Sequence, residues 1–96
     1  VELHELLMRR LPEGFVHEFP LSPSDRADFF RPADGVVIEV KASAGKTRRL
    51  PKQLERYMNL PEVAAGIVIA PSFKCVIPDR ICDKPVWGIS IFRLCL

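Results

Sequence analysis

The chain lacks the cysteine patterns that mark secreted, zinc-binding and iron–sulfur proteins. Its 96 residues include three cysteines, Cys75, Cys82 and Cys95, without any C-x-x-C pair. An odd number of widely spaced cysteines is not a disulfide framework, and it supplies neither a zinc signature nor the four thiolates of an iron–sulfur cluster. We therefore expect buried or incidental thiols in a reducing, cytoplasmic setting.

Long apolar segments and internal repeats are also missing. No apolar run approaches the roughly 18 residues that cross a bilayer, so we expect no membrane partner. The sequence does not open with a basic segment followed by an apolar stretch, so we expect no signal peptide. Hydrophobic residues make up 48% of the chain and charged residues 27%, which is typical of a globular protein. A chain of this length predicts a single domain over residues 1–96.

Charge is nearly balanced overall but unevenly distributed. The formal net charge is +2. A basic block between Lys41 and Arg56 holds one acid, Glu55, and six cations: Lys41, Lys46, Arg48, Arg49, Lys52 and Arg56. Such a block can follow a phosphate backbone. Charge alone favours the simpler interpretation of a solvated helix face.

Local patterns predict a mixed α/β protein. Leu3, Leu6, Leu7 and Leu11 recur at helical spacing and form one apolar stripe, which predicts a first helix over Val1–Leu11. Pro51 suits the first turn of a second helix that runs to Met58. The predicted strands are Phe15–Phe19, Arg26–Arg31, Val36–Val40, Ala64–Ala70 and Val86–Leu94. The second and third form a hairpin that turns at Asp34-Gly35. Residues 73–85 are predicted to be mostly irregular. The order of elements favours a central sheet with helices packed against it.

Asp28, Glu39 and Lys41 are charged residues within or just after the strands of this hairpin. Glu39 and Lys41 project from the same face because they lie two residues apart, and Asp28 can join them from the neighbouring strand. Two carboxylates can hold Mg²⁺ while leaving sites for water and a phosphate oxygen, and a nearby amine can orient that water. On its own, E-x-K on a strand is more often an exposed surface pair, so the surrounding residues decide.

The stretches Arg26-Ala-Asp-Phe-Phe30 and Val37-Ile-Glu-Val-Lys-Ala-Ser43 resemble the core motif of the PD-(D/E)XK nuclease superfamily. In that family an Asp precedes a hairpin turn, and the next strand carries (D/E)-x-K after apolar residues. The following Gln53-Leu-Glu-Arg-Tyr57 is similar to the Q-x-x-x-Y element of the exonuclease branch. In size the chain is similar to the VRR-Nuc and Holliday-junction-resolvase-like members. It departs from the pattern at Ala27, where the family name has Pro.

This resemblance implies a restriction-endonuclease-like three-layer sandwich and a DNA nuclease dependent on Mg²⁺ or Mn²⁺. Asp28 and Glu39 would hold the metal with the backbone carbonyl of Val40. Lys41 would position or activate the attacking water, and Gln53 would orient that water or a phosphate. The implied nucleic-acid contacts are Lys46, Arg48, Arg49, Lys52 and Tyr57.

The first helix offers a further metal ligand, either His4 or Glu5. His4 lies at the edge of the apolar stripe, where a residue facing a site on the sheet should be, whereas the smaller resolvase-like members use a Glu. His17, which alternates with Val16, is expected to be structural or exposed. The sequence leaves the choice between His4 and Glu5 open.

The partners implied by the resemblance are DNA, branched or otherwise structured, and a second copy of the chain. The C-terminal stretch Ile89–Leu96 is a candidate dimer surface or simply part of the core. Trp87 and Phe92 could stack on bases, but core packing is the favoured interpretation. The alternative function is a catalytically silent module with a nuclease-like fold that binds nucleic acid or a protein partner.

Overall fold

A computed structural model of the protein describes residues 3–91. Within this range the chain forms two α-helices, one short 3₁₀ helix and six strands. In chain order they are α1 (Leu3–Arg10), β1 (Val16–Pro20), β2 (Arg26–Arg31), β3 (Val36–Val40), the 3₁₀ helix (Ala44–Thr47), α2 (Leu50–Met58), β4 (Ala65–Ala70), β5 (Arg80–Ile81) and β6 (Lys84–Ser90).

The strands form one mixed sheet in the order β1-β2-β3-β4-β6-β5. β1, β2 and β3 are antiparallel neighbours, whereas β4 runs parallel to β3 and β6 runs parallel to β4. Parallel neighbours need a long crossover connection, and the segment that contains α2 supplies it between β3 and β4. The predicted central mixed sheet is confirmed.

One face of the sheet is covered by α2, and we call the buried cluster there the α2-side core. The buried residues of α2 recur at three- and four-residue spacing; they are Leu50, Leu54, Tyr57 and Met58. They pack against Phe30, Val37 and Val68 of the sheet. A Cβ added to Gly66 would lie 2.6 Å from Met58 Cε, so glycine permits the close approach of helix and sheet.

The opposite face is covered by α1, and its cluster is the α1-side core. The buried residues there are Phe29, Ile38, Val40 and Ile69, and the side chains packed against them from α1 and its end are Leu3, Leu7 and Leu11. Neighbouring residues of β3 enter different cores because alternate side chains of a strand point to opposite faces. The two helices therefore flank the sheet, as expected. Leu6, expected in the apolar stripe, is 41% exposed.

The pairing of β1 with β2 is interrupted beside Asp28. β1 and β2 pair on both sides of Glu18 and Asp28 but skip these two residues. Glu18 has φ of 54°, in the left-handed region that residues other than glycine adopt infrequently. His17 stacks on Phe29 of the α1-side core, whereas Phe19 packs against the α2-side core. Strict alternation would place His17 and Phe19 on one face of the sheet. The alternation of side chains along β1 is therefore broken at Glu18.

Several predicted boundaries need correction. The hairpin turn is not the two-residue Asp34-Gly35 turn, because Arg31 pairs with Val36 and four residues lie between them. Residues 73–85 are mostly irregular, as predicted, apart from the short strand β5 and the first two residues of β6. The last strand begins at Lys84 and ends at Ser90, and its expected continuation over 92–94 lies outside the described residues.

The predictions for the aromatic residues of the C-terminal segment and for the cysteines have different outcomes. Trp87, expected in the core, is 54% exposed on β6. Of the cysteines expected to be buried or incidental, Cys75 is half-buried and Cys82 is exposed; both are free thiols. Phe92 and Cys95 lie outside the described residues.

Among residues 3–91 no helix has the length and apolar character needed to cross a membrane.

Thr47 fixes the 3₁₀ helix to the loop after β4. Its fully buried hydroxyl donates to Ala44 O at 2.5 Å and accepts from Lys74 N–H at 2.7 Å. We expect Thr47→Val, which keeps the shape but removes both bonds, to lower the free energy of unfolding by about 1–3 kcal/mol. Urea denaturation would measure this loss. The exposed Ser72→Val is the control, with a change of about 0.5 kcal/mol or less.

Candidate functional site

The candidate site lies where β2 and β3 separate. Their regular pairing ends at Phe29 opposite Ile38. Beyond that pair, the Asp28 N–H donates to Glu39 Oε1 at 3.1 Å, and the Val40 N–H donates to Asp28 Oδ2 at 2.8 Å. Each carboxylate is thereby fixed to the backbone of the facing strand, in place of a regular backbone ladder.

The second oxygen of each carboxylate faces a basic side chain. His4 Nε2, from α1, lies 3.5 Å from Asp28 Oδ1. Lys41 Nζ, just after β3, lies 3.5 Å from Glu39 Oε2. The structure thus brings together Asp28, Glu39 and Lys41, the three residues that the sequence pattern groups, and adds His4 to them.

Glu39 is a buried acid, only 3% exposed. Burial raises the pKa of its carboxyl from 4.5 to about 7, and the neighbouring charge of Asp28 acts in the same direction. The Asp28 N–H, the Lys41 charge and the Tyr57 hydroxyl lower this pKa but do not offset the burial. A cation placed beside Glu39 would favour the ionised form, as any positive charge there does.

Two residues of α2 lie behind Glu39. The Tyr57 hydroxyl is 3.2 Å from Glu39 Oε1 and 3.0 Å from the Arg26 carbonyl oxygen. Gln53 Nε2 donates to the same hydroxyl at 3.0 Å. Gln53 and Tyr57 share one face of α2 because they are four residues apart. Burial and the nearby Glu39 charge raise the pKa of Tyr57, so its hydroxyl stays protonated over the usual pH range.

An open cleft of about 1420 Å³ extends from the carboxylates. Asp28, Glu39, Val40 and Lys41 form one part of its lining. The cationic part comes from the 3₁₀ helix, the N-terminal half of α2 and the residues between them: Lys46, Arg48, Arg49 and Lys52. All four are exposed, and within residues 3–91 none of them forms an ion pair. Their charge is therefore available to an anion in the cleft.

Two further cleft residues were not predicted as site residues. Arg56 lines the cleft, but its guanidinium lies 3.0 Å from the Asp25 carboxylate, so its charge is partly offset. Arg26 also lines the cleft, and its guanidinium donates to the Glu18 carbonyl. The position of Arg26, two residues before Asp28 on one strand, is the sequence signal that could have identified it.

The geometry bears on the predicted roles of Tyr57, of the two ligand candidates of the first helix and of His17. Tyr57, expected to contact the nucleic-acid backbone, is 1% exposed, and its hydroxyl is directed at Glu39 and Arg26 instead of the cleft. Between the two ligand candidates of the first helix, the structure places His4 beside Asp28 and in the cleft lining. Glu5 is exposed and is not among the residues that line the cleft. His17 is half-buried against Phe29, as a structural role predicts.

The oxygen donors of the site fit a hard divalent cation completed by water. Within residues 3–91 no three His, Cys, Asp or Glu side chains are grouped so that they could hold a metal by themselves. Mg²⁺ does not require such a cage, since it is usually bound by one or two carboxylates, several waters and substrate phosphates. Asp28 and Glu39 supply the carboxylates of such a set, and Val40, whose backbone carbonyl is the third expected ligand, also lines the cleft.

Comparisons of the chain with family models, with curated proteins and with solved structures give no match.

Proposed function

We propose that the protein is a divalent-metal-dependent nuclease that hydrolyses DNA phosphodiester bonds. The observation that carries the proposal is the position of two fixed carboxylates and Lys41 beside four cations in one open cleft. Carboxylates alone would repel a phosphodiester, and cations alone would bind it without providing a metal site. Their combination suits hydrolysis of a phosphate ester.

In this proposal Asp28, Glu39 and the Val40 carbonyl hold Mg²⁺ or Mn²⁺. When bound, such an ion polarises a phosphate oxygen and lowers the pKa of a coordinated water. The Lys41 ammonium orients the attacking water or offsets the negative charge that develops on the phosphate. The cross-strand bonds that fix both carboxylates reduce the reorganisation needed during the reaction.

The cations of the cleft select for phosphate and not for base sequence. Lys46, Arg48, Arg49 and Lys52 would contact the backbone, which is the same in every sequence. We therefore propose a structure-selective enzyme of the resolvase-like or repair type, with branched DNA as substrate and an intracellular setting. As part of the same proposal, the helix–sheet–helix arrangement is the restriction-endonuclease-like three-layer sandwich.

We also propose that the enzyme works as a homodimer, because a four-way junction presents two equivalent cuts. Exposed apolar side chains on β6, Trp87 and Ile89, support a second copy there, since they lie outside both cores. The rest of the expected surface, residues 92–96, lies outside the described part of the chain. Sedimentation equilibrium of the wild type and of Trp87→Ser measures whether this contact forms.

The direct test incubates the protein with labelled four-way junction, linear duplex and single-stranded DNA. Each substrate is tested with Mg²⁺, with Mn²⁺ and with EDTA. We expect junction cleavage that requires the metal. DNA binding without cleavage in every metal would favour the alternative, a silent nuclease-like module. Absence of both binding and cleavage would contradict a nucleic-acid function.

Replacing Arg48 and Arg49 together by Ala should weaken binding to all DNA sequences about equally. Both guanidiniums are exposed in the cleft and meet phosphates in the proposed complex. Each lost phosphate contact should lower the salt slope of log K on duplex DNA by about one unit. The single-turnover rate at saturating DNA should change much less than the affinity does. A salt titration of both proteins measures the difference.

The matched control is replacement of Arg9 and Arg10 by Ala. These two arginines are exposed on α1 and do not line the cleft. Their replacement removes the same amount of charge as that of Arg48 and Arg49. Their loss should change the salt slope by much less than the loss of Arg48 and Arg49. Equal effects of the two double variants would mean that DNA responds to net charge alone and does not follow this cleft.

A further inference from the structure

The side-chain amide of Gln53 has two ends, and the structure gives each end different surroundings. Nε2 donates to the buried Tyr57 hydroxyl at 3.0 Å. Among residues 3–91, every fully buried side-chain nitrogen and oxygen has a hydrogen-bond partner. Since Oε1 makes none of the described hydrogen bonds, it is not fully buried, and Gln53 lines the cleft. Oε1 is therefore accessible, and it belongs to a side chain that lines the cleft.

The hydroxyl proton of Tyr57 sets this orientation. A phenol hydroxyl has one proton to donate and lone pairs to accept. Two acceptors compete for that proton, the Arg26 carbonyl at 3.0 Å and Glu39 Oε1 at 3.2 Å. Whichever of the two receives the proton, the hydroxyl is left as an acceptor toward Gln53. The amide must therefore present its NH₂ group to Tyr57.

The reversed amide is unfavourable for the same reason. With Oε1 against the hydroxyl, a hydrogen bond would form only if the proton of Tyr57 pointed at Gln53. Neither the Arg26 carbonyl nor the Glu39 carboxylate could then receive that proton. With NH₂ facing Tyr57, the hydroxyl donates to one of these two acceptors and accepts from Gln53 at the same time.

We propose that Tyr57 is a positioning residue that fixes the Gln53 amide with Oε1 toward the cleft, so that Gln53 contacts a water molecule and not a phosphate oxygen. A carbonyl oxygen accepts hydrogen bonds, and phosphate oxygens are acceptors too, so Oε1 selects a donor. This inference rests on the proposed nuclease function. It decides between the two roles that the sequence left open for Gln53.

The orientation can be measured without any cleavage. The chain contains a single tyrosine, Tyr57, and its side-chain amides are those of Gln53 and Asn59. In ¹⁵N-labelled protein with EDTA and without DNA, we expect an NOE from a Gln53 NH₂ proton to the ring protons of Tyr57. In Tyr57→Phe, which keeps the ring, that NH₂ signal should shift and exchange faster with water. The Asn59 NH₂, which donates to the Glu55 carbonyl at 2.9 Å, is the internal control and should not change.

The contact partner is tested by separating binding from chemistry. Gln53→Met is close in volume and removes both polar ends of the amide. We expect the single-turnover cleavage rate of Gln53→Met in Mg²⁺ to fall roughly 10²-fold, as expected when a reacting group loses its orientation. DNA affinity measured in EDTA should change less than about two-fold. Tyr57→Phe should also slow cleavage, and combining it with Gln53→Met should cause no further loss because the residues act as a unit.

Three outcomes would overturn the inference. A tenfold or larger loss of DNA affinity in Gln53→Met would show that Gln53 contacts phosphate. A Gln53 NH₂ signal without the NOE and unchanged in Tyr57→Phe would show that the nitrogen faces the cleft. Additive rate losses would show that Tyr57 does not act through Gln53. A wild type that binds DNA but never cleaves it contradicts the nuclease proposal and the water contact together, while the NMR measurement still decides the amide orientation.

Discussion

Glu39→Gln is expected to lower the single-turnover cleavage rate by roughly 10³-fold or more, because a bound metal contributes several kcal/mol of charge stabilisation. DNA affinity should remain at the wild-type level or rise. The substitution removes one negative charge from the proposed metal site, and it also removes one charge that repels phosphate. It leaves Lys41 without its acidic neighbour at 3.5 Å, which adds positive charge to the cleft. Rates are measured in Mg²⁺ and affinities in EDTA.

The matched control is Glu62→Gln, which makes the same chemical change at an exposed residue between α2 and β4. Glu62 does not line the cleft, so both cleavage and binding should equal those of the wild type. Cleavage by Glu39→Gln at close to the wild-type rate would place the metal site elsewhere and remove the main support for a nuclease. A parallel loss of binding and cleavage would instead indicate that Gln at this position disturbs the fold.

The hairpin and α2 are predictable from the sequence because their signals are local. Val36–Val40 is rich in β-branched residues, which favour strands, and Pro51 suits the first turn of a helix. The convergence of Asp28 with Glu39 follows from the hairpin alone. These elements match the structure because the preferences of neighbouring residues are enough to decide them.

The missed features depend on long-range packing or on unusual turn residues. β5 and β6 are joined by Cys82 and Asp83, both with positive φ, as a two-residue type I′ hairpin turn requires. Asn-Gly is the usual signal for such a turn, and Cys-Asp does not give it. Glu18 likewise adopts positive φ with no preference of its own for that region.

The sequence also does not predict which side chains of the site are buried. The spacing of Gln53 and Tyr57 predicts a shared helix face, but it does not say which of the two is buried. Burial is decided by the packing of α2 on the sheet, where Tyr57 belongs to the α2-side core. The choice between His4 and Glu5 likewise depends on where α1 crosses the sheet, and the structure places His4 beside Asp28.

The metal-free protein should lose stability as pH rises from about 4.5 to 7 and above, through the contribution of Glu39. Its carboxyl has a pKa of about 7 in the folded protein and an ordinary value of 4.5. Between these values the folded state keeps a proton that the unfolded state has released, so the free energy of unfolding falls with increasing pH. The shift corresponds to roughly 3 kcal/mol, fully lost once pH exceeds the folded pKa.

Comparison with Glu39→Gln isolates this contribution from those of other acids, such as Asp34, whose pKa is lowered by its bond to Arg31. Urea denaturation in EDTA at pH 5, 6, 7 and 8 gives the free energy of unfolding of both proteins. Because glutamine does not titrate, the variant should gain on the wild type by about 2.5 kcal/mol between pH 5 and 8. The exposed Glu62→Gln should follow the wild type at every pH. If the Glu39→Gln curve also stays parallel to that of the wild type, Glu39 titrates as an ordinary surface acid. The buried carboxyl on which the proposed metal site depends would then be absent from the folded protein in solution.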